Sequence, residues 1–597
     1  MKKTIELPDK LSYGRLMLLS FQIDPLYSFV NLLIQLIGTF LAPYGVILTA
    51  KFVDTAIGIF NGTNTAGEIV LPLLLLTLIK FYSIITDMIF APVTLRHEMT
   101  SWKRLEHPFM KRVASLDMKH LEDSELQNEM GSFMEGNLWR VLEFPDIIKS
   151  MILSGIQIVS YLVILYQYVP WIVLLTCVLS LPIIFLAKDK EEFTFRHQKN
   201  QQLQGRYNGQ YFSYLKGRQA ACERGMFGYS EMISELYTKS LTKVQTDIFK
   251  GNFRYGVKGN LFGILSSVLC FLAIFLMVPT LVAGTITIGV FISVVNTILT
   301  VIPKIASDYS MYTFLFTLNH RQVKLFNKFL ALTGNREHTE PMSENPQSFE
   351  SLEMKNVSFT YPGTEKKILD GVSLKMDAGM KYSLVGINGS GKSTLIKLIL
   401  RMYDDYEGEI LINGKELREW PRCDIKAMFS AVMQNFSKYD ISLEDNINMG
   451  SGFRAGDDEV DAAITLAGLD DAVSKLADGK KTMLGKIHEK GADLSGGEWQ
   501  RAAMARSVVH KSGLKILDEP TAALDPIAEC DFYQKFDEMT RDAAVIFISH
   551  RLASAKNSDC IFVLNDGKIA EQGNHEELMK KQGLYAEMFE SQRGWYL

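Results

Sequence analysis

Long apolar runs fill the first half of the chain and are separated by polar stretches. The runs lie near residues 26–50, 69–93, 150–168, 170–187, 260–280 and 284–305. A helix needs roughly 20 mostly apolar residues to cross a bilayer core of about 30 Å. Six such runs are hard to accommodate in a soluble core, so the pattern predicts six transmembrane helices. Only YQYVP separates the third run from the fourth, which predicts a tight hairpin.

The pattern changes near residue 348, after which the chain has the character of a soluble α/β domain. The segment EHTEPMSENPQS, residues 337–348, is polar and contains two prolines, which is typical of a linker. We therefore predict a multidomain chain. An all-α membrane domain spans residues 1–336, and an α/β domain spans residues 349–597.

Composition agrees with this division of a 597-residue chain. Hydrophobic residues make up 47% and the mean hydropathy is +0.06, which is high for a soluble protein. The net charge of −4 predicts no nucleic-acid partner. The six cysteines are scattered without CxxC or metal-ligand spacing, which argues against a disulfide framework.

The distribution of positive charge predicts the orientation of the spans. Residues 94–149 carry eight Lys and Arg and residues 188–258 carry thirteen, whereas residues 51–68 carry only Lys51. Because Lys and Arg favour cytoplasmic loops, we expect both long loops and both termini in the cytoplasm. Each long loop could form two helical arms with a charged bend, near 122–129 and 222–230; these bends are either short helices or solvated loops.

A few polar residues interrupt the apolar runs. An ionisable group in lipid is costly, so Lys80 and Asp87, seven residues apart on one helix face, should face an internal cavity or each other. The whole set either contacts cargo in a cavity or joins neighbouring helices by hydrogen bonds. Its members are Asn31, Gln35, Lys80, Asp87, Gln157 and Asn296.

The sequence KYSLVGINGSGKSTLIKLIL, residues 381–400, predicts a strand, a glycine-rich loop and a helix. This is a Walker A pattern, in which backbone N–H groups and the helix N-terminus hold phosphates. Lys392 would reach the β- and γ-phosphates, and the Ser393 hydroxyl would ligate Mg²⁺. The candidate nucleotide-binding residues of this loop are Gly386, Asn388, Gly389, Ser390, Gly391, Lys392, Ser393 and Thr394.

Other polar residues follow predicted strands. In LKILDEP, Asp518 would hold the Mg²⁺ shell and Glu519 would polarise the attacking water as general base. Gln434, in AVMQNF, could touch Mg²⁺ and water. His550, in VIFISHR, could reach the γ-phosphate. Tyr361, in SFTYPG, could stack on adenine or lie in an exposed turn.

A second glycine-containing sequence, LSGGEWQR at residues 494–501, also has the character of a phosphate-binding turn. Together with the motifs above, it makes the chain resemble ATP-binding cassette (ABC) transporters of the exporter type, in which six helices are fused to one nucleotide-binding domain. The resemblance covers residues 20–590 and is specific in the nucleotide domain, whereas the membrane half matches in architecture alone. The usual signature ends in Gln, so Glu498 is a conservative departure.

The resemblance assigns roles to several residues. It implies that Tyr361 stacks on adenine, that Gln434 lies in the Q-loop, that residues 523–525 form the D-loop and that His550 is the switch histidine. Glu489 matches the glutamate that faces the loop helices in exporters. Ser495, Gly496, Gly497 and Glu498 form the signature.

The resemblance also implies a dimer. In the family the Walker loop and the signature lie on separate lobes, so the signature of one chain should cap the γ-phosphate of ATP bound by another. The expected partner is a second half-transporter. A homodimer is favoured over a heterodimer because the site residues all match the competent pattern. The expected ligands are ATP and Mg²⁺.

The sequence therefore predicts an ATP hydrolase that exports an amphipathic or hydrophobic cargo, such as a peptide, drug or lipid, by alternating access. We expect a multi-pass protein of a bacterial plasma membrane, with the nucleotide-binding domain in the cytoplasm. An importer with the exporter fold and an ATP-gated channel or regulator are the alternatives. The sequence leaves the cargo open.

Overall fold

The structure is a computed structural model. It describes residues 10–123, 126–127, 130, 138–217, 220–332, 336–486, 488–489, 491–520, 536, 543–548 and 552–593, with the backbone alone for some helical residues. The chain divides into two compact units. The first consists of Met1–Met110 and Ser124–Leu332, and the second of Lys111–Asp123 and Thr333–Leu597.

The first unit is helical. In the described part of the chain, six helices exceed 30 residues. The helices are α1 (Tyr13–Ile23), α2 (Pro25–Phe60), α3 (Val70–Ala114), α4 (Met118–Leu121, in the second unit), α5 (Leu138–Tyr168), α6 (Pro170–Lys216), α7 (Ala221–Phe227), α8 (Ser230–Val282) and α9 (Ile288–Leu330).

Local sequence explains where several of these helices begin. Asp24 caps α2 by accepting a hydrogen bond from the N–H of Tyr27 at 3.3 Å, and a proline follows it at the first helical position. Val169 alone separates α5 from α6, which also opens on a proline. This one-residue reversal confirms the predicted tight hairpin.

Four helical stretches among the described residues are long and apolar enough to cross a membrane: Pro25–Phe60, Ala66–Thr86, Trp139–Tyr168 and Ile288–Leu330. A shorter apolar stretch covers Cys270–Val282. Four of the six predicted spans therefore reappear as such stretches. The fifth, 260–280, overlaps the shorter stretch, and the fourth, 170–187, lies in α6.

The helices of the first unit pack through a buried apolar cluster contributed by α5, α6, α8 and α9. Leu165, Met277 and Val294 are its most enclosed members. Between α2 and α9, the Asp54 carboxylate accepts hydrogen bonds from the N–H of Gly289 at 2.7 Å and the Thr287 hydroxyl at 2.6 Å. Glycine is required at this start of α9, because a Cβ at position 289 would lie 2.2 Å from the carbonyl oxygen of Ala50.

The described residues of the second unit form two sheets. An antiparallel sheet has the order β2-β1-β4-β5, and a six-stranded sheet has the order β10-β9-β3-β8-β7-β6, in which β10 alone is antiparallel. The strands are β1 (Ser351–Thr360), β2 (Lys367–Asp377), β3 (Lys381–Val385), β4 (Glu407–Ile412), β5 (Lys415–Glu416), β6 (Phe429–Val432), β7 (Leu514–Asp518), β8 (Ala544–Ile548), β9 (Cys560–Asn565) and β10 (Lys568–Gly573). Strands β3, β7 and β8 are buried runs, as expected where helices cover both faces of a parallel sheet.

Helices complete the second unit. They are α10 (Lys392–Ile399), α11 (Arg422–Met428), α12 (Leu443–Asn448), α13 (Asp457–Leu466), α14 (Asp470–Lys475), α15 (Gly496–Val509), α16 (Leu552–Ala555), α17 (His575–Lys581) and α18 (Leu584–Arg593). Helix α10 shares one hydrophobic cluster with the sheets, whereas α12 to α15 pack around Trp499 in a separate cluster. This arrangement gives the unit a sheet-based lobe and a helical lobe.

Two segments outside the predicted limits of the soluble domain belong to this unit. The segment 111–123 comes from the first long loop. The predicted linker, 337–348, is attached to α11, where the Lys426 ammonium donates to the carbonyl oxygens of Glu337 and Glu340, both at 2.9 Å. The unit therefore begins at Thr333 and gains a second piece of chain from the first loop.

Candidate nucleotide site

The loop between β3 and α10 lies at the carboxyl end of a central parallel strand, where open α/β sheets bind ligands. Its shape depends on glycines. Gly389 and Gly391 have φ values of +80° and +107°, a region that favours glycine. A Cβ on Gly386 would lie 2.2 Å from the Leu564 carbonyl oxygen, whereas one on Gly389 would meet nothing within 4 Å. The loop is therefore packed at its base and open at its tip.

The Lys392 side chain folds back over this loop. Its ammonium donates to the carbonyl oxygens of Gly386 at 2.8 Å and Ile387 at 3.0 Å. Burial lowers the pKa of the Lys392 amine, and the carboxylates Glu519 and Asp518 oppose that effect. The buried Ser390 hydroxyl has no hydrogen-bond partner among the described residues. A buried ammonium, an unused hydroxyl and the N-terminus of α10 fit a polyphosphate anion.

Two carboxylates stand at the end of β7. Glu519 has a φ of +52°, which is uncommon for a residue other than glycine. Its N–H donates to the carbonyl oxygen of Ile548 at 2.9 Å, and its own carbonyl accepts from Gln500 Nε2 at 3.0 Å. Gln434 Nε2 donates to Glu519 Oε2 at 2.8 Å. These contacts hold the Glu519 carboxylate beside the predicted Q-loop amide.

Asp518 is 4% exposed. Burial and the neighbouring Glu519 raise the pKa of Asp518 to about 6, while Lys392 and a backbone hydrogen bond from Gln434 lower it. The carboxylate is therefore ionised at neutral pH but has too few partners to offset its burial. A cation at this position would supply the missing charge.

The donor set fits Mg²⁺ held partly by phosphate oxygens. Among the described residues, no group of three His, Cys, Asp or Glu side chains is placed to hold a metal ion. Mg²⁺ in nucleotide sites usually takes only one or two protein ligands together with phosphates and waters. The Asp518 carboxylate, the exposed Ser393 hydroxyl and the Gln434 amide oxygen are of the type it prefers.

Tyr361 follows β1 and lies over the start of α10. Its hydroxyl lies 3.0 Å from Thr394 Oγ1, and its ring meets those of Phe359 and Tyr403 edge-on. The Lys397 ammonium lies 5.3 Å from the centroid of the Tyr361 ring. Tyr361 is thus a fixed aromatic platform beside the phosphate loop, a geometry compatible with stacking on a base.

The turn Ser495–Gly497 begins helix α15 on the helical lobe. The Ser495 hydroxyl accepts from the N–H of Glu498 at 3.3 Å, and Glu498 Oε2 accepts from the N–H of Ser495 at 2.7 Å. This is a capping box, which explains structurally why Glu serves at position 498. The backbone hydrogen bond from Ser495 lowers the pKa of Glu498. The N-terminus of α15 remains exposed at Ser495 and Gly496.

Some of the predicted residues lie outside the described part of the chain. They are the switch residue His550 and the D-loop residues Ala523, Leu524 and Asp525. Glu489 is described and is exposed. The described residues that the structure brings together are those of the phosphate loop with Gln434, Asp518 and Glu519. Tyr361 adjoins them through Thr394, and Gln500 links α15 to the same centre.

Sequence reasoning missed two features of this unit. Lys515, an apparent interruption of β7, is buried and donates to the carbonyl oxygens of Ser507 at 2.9 Å and His510 at 2.8 Å. Its charge therefore lies at the C-terminal end of α15, where the helix dipole favours a cation. A lysine inside an otherwise apolar strand was the available signal.

The second missed feature is the contact made by Glu122, in the loop segment 111–123. Its carboxylate accepts from the Tyr403 hydroxyl and from the Lys397 ammonium at 2.9 Å. Burial opposes ionisation of Glu122, but these hydrogen bonds lower its pKa. Lys397 also lies over the Tyr361 ring, so the loop segment and the Tyr361 platform share one cation. Nothing local in the sequence connects residues 122 and 397.

The polar residues proposed for cargo lie at different places in the first unit. Asn31 and Gln35 line a cavity of about 290 Å³. Lys80 and Asn296 are exposed, and Gln157 is half-buried. The side chain of Asp87 lies outside the described residues. Only the first two residues therefore share a described cavity.

Comparisons with known proteins agree with this geometry. The family model described as "ABC transporter" matches residues 369–522. The subtilin transport ATP-binding protein SpaT of Bacillus subtilis is 29% identical over 500 residues, which cover 82% of this chain and 80% of that protein. The ATP-dependent lipid A-core flippase of Vibrio vulnificus (strain CMCP6) is 37% identical over 243 residues. That match covers 41% of each protein, so the chain spans less than half of the flippase.

A solved structure shares the fold over nearly the whole chain. It is that of a bacterial Atm1-family ABC exporter with ATP bound. The TM-score is 0.74 with 24% sequence identity, and the match covers 97% of this chain and 98% of the other. The likeness extends through the helical first unit as well as the second. It supports the predicted order of a helical domain followed by an α/β domain.

Proposed function

We propose that this chain, as a member of the ABC transporter superfamily with the fold of an exporter-type half-transporter, is an exporter. It moves an amphipathic or hydrophobic cargo and uses ATP hydrolysis to drive the movement. The observation that carries the proposal is the joining of an ABC-type phosphate loop and Glu519–Gln434 pair to long apolar helices in one chain. Export, as opposed to import or gated conduction, follows the names of the relatives, a subtilin transport protein and a lipid A-core flippase.

The residues of the second unit have separate roles in the proposed reaction. Lys392 exchanges its two carbonyl acceptors for β- and γ-phosphate oxygens. Glu519, oriented by Gln434, takes a proton from the attacking water. Mg²⁺ held by Asp518 and Ser393 would neutralise phosphate charge. The Tyr361 platform binds adenine. His550 remains the proposed contact to the γ-phosphate.

The signature turn completes the site on a second chain. Ser495 is the N-cap of α15, and this helix start faces outward from a lobe distinct from that of the phosphate loop. A second copy of the chain is the simplest partner, and the dimer would hold two ATP molecules between its nucleotide-binding domains. ATP bound in this way favours one state of the membrane domain over the other, which alternating access requires.

A turnover assay tests the proposed base. The full chain in lipid nanodiscs should hydrolyse ATP, and Glu519→Gln should reduce the rate by about 10²-fold or more, because general base catalysis contributes on that order. The glutamine still offers an oxygen to Gln434, so geometry and ATP binding should persist. Glu350→Gln, the same change at an exposed site, is the matched control. An unchanged rate in Glu519→Gln would refute the assignment.

A subunit-mixing assay tests the shared site. Gly496 has open space around its Cα, so Gly496→Asp fits sterically but places a negative charge where phosphate would bind; Gly496→Asn is the neutral control. Dimers with Lys392→Ala in one chain and Gly496→Asp in the other carry both lesions in one shared site and keep the second site intact. These mixed dimers should retain hydrolysis, whereas a dimer in which both chains carry the same variant should lose it. If the sites were complete within one chain, the mixed dimer would be inactive.

Transport direction is tested in inside-out vesicles. Export predicts ATP-dependent uptake of cargo into these vesicles, and import predicts loss from preloaded ones. Continuous ion flux after ATP binding alone would indicate a channel.

A further inference from the structure

A cavity of about 290 Å³ lies in the first unit between helices α2, α3, α5 and α9. Aromatic side chains form much of its wall. They are Tyr27, Trp102, Trp139 and Tyr312. Tyr27 stacks on the His97 ring with centroids 3.9 Å apart and an interplanar angle of 10°. The wall is therefore rich in aromatic side chains, which suits an apolar or aromatic group.

The charge of this cavity is one-sided. Glu98, Glu143 and Asp146 line it, and the described lining residues include no Lys or Arg. Two cations contact lining residues: Lys149 pairs with Asp146, and the Arg140 guanidinium lies 5.3 Å from the centroid of a Trp139 ring. Three carboxylates against two cations leave the surroundings negative.

Only part of this negative charge is compensated by hydrogen bonds. Glu143 Oε2 accepts from Asn319 Nδ2 at 3.3 Å. Among the described residues, the Lys149 and Lys304 ammonium groups pair with Asp146 and Asp308, and neither pairs with Glu98. An unpaired carboxylate attracts a cation by its charge, and neighbouring aromatic rings attract a cation through their faces.

Buried polar groups also point to a ligand. Asn31 is 3% exposed and His97 is 6% exposed, and both line the cavity. The Asn31 amide donates to the Tyr27 hydroxyl at 3.2 Å, but its Oδ1 has no hydrogen-bond partner among the described residues. His97 Nδ1 likewise has none. Buried polar atoms in native proteins are nearly always paired, so two unpaired ones in residues that line one cavity are consistent with a ligand there.

We propose that this cavity binds the cationic group of an amphipathic organic cation, with Glu98 and Glu143 supplying the opposite charge and Trp102 and Tyr312 contacting the adjacent apolar part. This inference rests on the proposed export function and specifies its cargo class. The volume of about 290 Å³ suits a compact cationic group with the rings next to it and not an entire large molecule. An anionic group is disfavoured here because it would be desolvated next to carboxylates.

The test is direct binding of tritiated tetraphenylphosphonium, a permanent cation, to the detergent-purified full chain without ATP. Triphenylphosphine oxide, which is neutral, and triphenylphosphine monosulfonate, which is anionic, serve as competitors of similar shape. We expect the label to bind saturably and to be displaced by unlabelled cation at least about tenfold better than by either of the other two. Tenfold corresponds to about 1.4 kcal/mol.

Variants locate the binding site. Glu98→Gln keeps the side-chain shape and should weaken binding of the cation about tenfold, and Glu143→Gln should do the same. Asp247→Asn, at an exposed position of α8 away from the cavity, should change it less than twofold. Since Glu98 is exposed on one side, Glu98→Gln should fold even if Glu143→Gln does not.

Two results would overturn the inference. One is equal or better displacement by the neutral or anionic competitor. The other is an affinity within twofold of wild type in folded Glu98→Gln. Because binding is measured without ATP, either result leaves the export proposal intact. An unchanged hydrolysis rate in Glu519→Gln would instead contradict the proposed function, and it would leave the binding data as they are.

Discussion

Asp518 should destabilise the fold at neutral pH, so Asp518→Asn should stabilise the protein while abolishing its ATPase activity. Burial and Glu519 raise the pKa of Asp518 from 3.8 to about 6. At about 1.4 kcal/mol for each pKa unit, the ionised carboxylate costs the folded state about 3 kcal/mol at pH 7.5. Asparagine keeps an oxygen for the backbone hydrogen bond and has no charge to desolvate.

The sign of the pH dependence follows from the raised pKa. Between about pH 4 and pH 6 the unfolded chain binds fewer protons than the folded chain, so stability falls as the pH rises through this window. The loss is complete above pH 6. The advantage of Asp518→Asn should therefore be about 3 kcal/mol at pH 7.5 and roughly half of that at pH 5.

The measurement is thermal unfolding of the full chain in detergent with EDTA, followed by intrinsic fluorescence at one fixed scan rate. For a unit of this size, about 3 kcal/mol corresponds to a rise of roughly 6–12 °C in Tm. Asp377→Asn, at an exposed position, should shift Tm by little. The reasoning fails if Asp518→Asn is no more stable than wild type at pH 7.5, or if its advantage is equal at both pH values.

Three further predictions concern the second unit. Lys515→Met should lower its unfolding free energy by about 1–3 kcal/mol, measured by thermal or denaturant unfolding, because two carbonyls at the end of α15 lose their donor. Glu498→Gln should keep ATP turnover within about twofold, since glutamine also completes a capping box, whereas Glu498→Ala should cost about 1 kcal/mol of stability. Glu122→Gln and Tyr403→Phe should each cost about 1 kcal/mol. The double variant should lose less unfolding free energy than the sum of the two single losses, since both changes break the same contact. Additive losses would contradict this contact.

The sequence was most informative where the signal is local. Apolar runs marked the long helices because a bilayer requires about 20 consecutive apolar residues. The glycine-rich loop after β3 and the Asp518–Glu519 pair could be predicted as neighbours because each follows a buried strand, and the carboxyl ends of parallel strands meet at one edge. The predicted bend near residue 222 appears as helix α7.

Features that depend on distant parts of the chain escaped sequence reasoning. The hydrogen bonds of Glu122 join residues some 275 positions apart, and no local sequence pattern predicts such a contact. Lys515 looked like an interruption of β7 because its acceptor, the Ser507 carbonyl oxygen, lies in helix α15. The hydrogen bonds that join Glu337 and Glu340 to α11 also escaped it, since the polar composition of residues 337–348 is typical of a linker.

At position 495, the start of α15, helix capping and the proposed phosphate binding favour different sets of residues. For helix stability alone, Ser, Thr, Asp and Asn are nearly equivalent caps. An aspartate there would meet an incoming phosphate with like charge, whereas a hydroxyl can accept from its own helix and donate to phosphate at the same time. A variant library sorted for folding should thus recover aspartate at this position, and one sorted for ATP turnover should lose it.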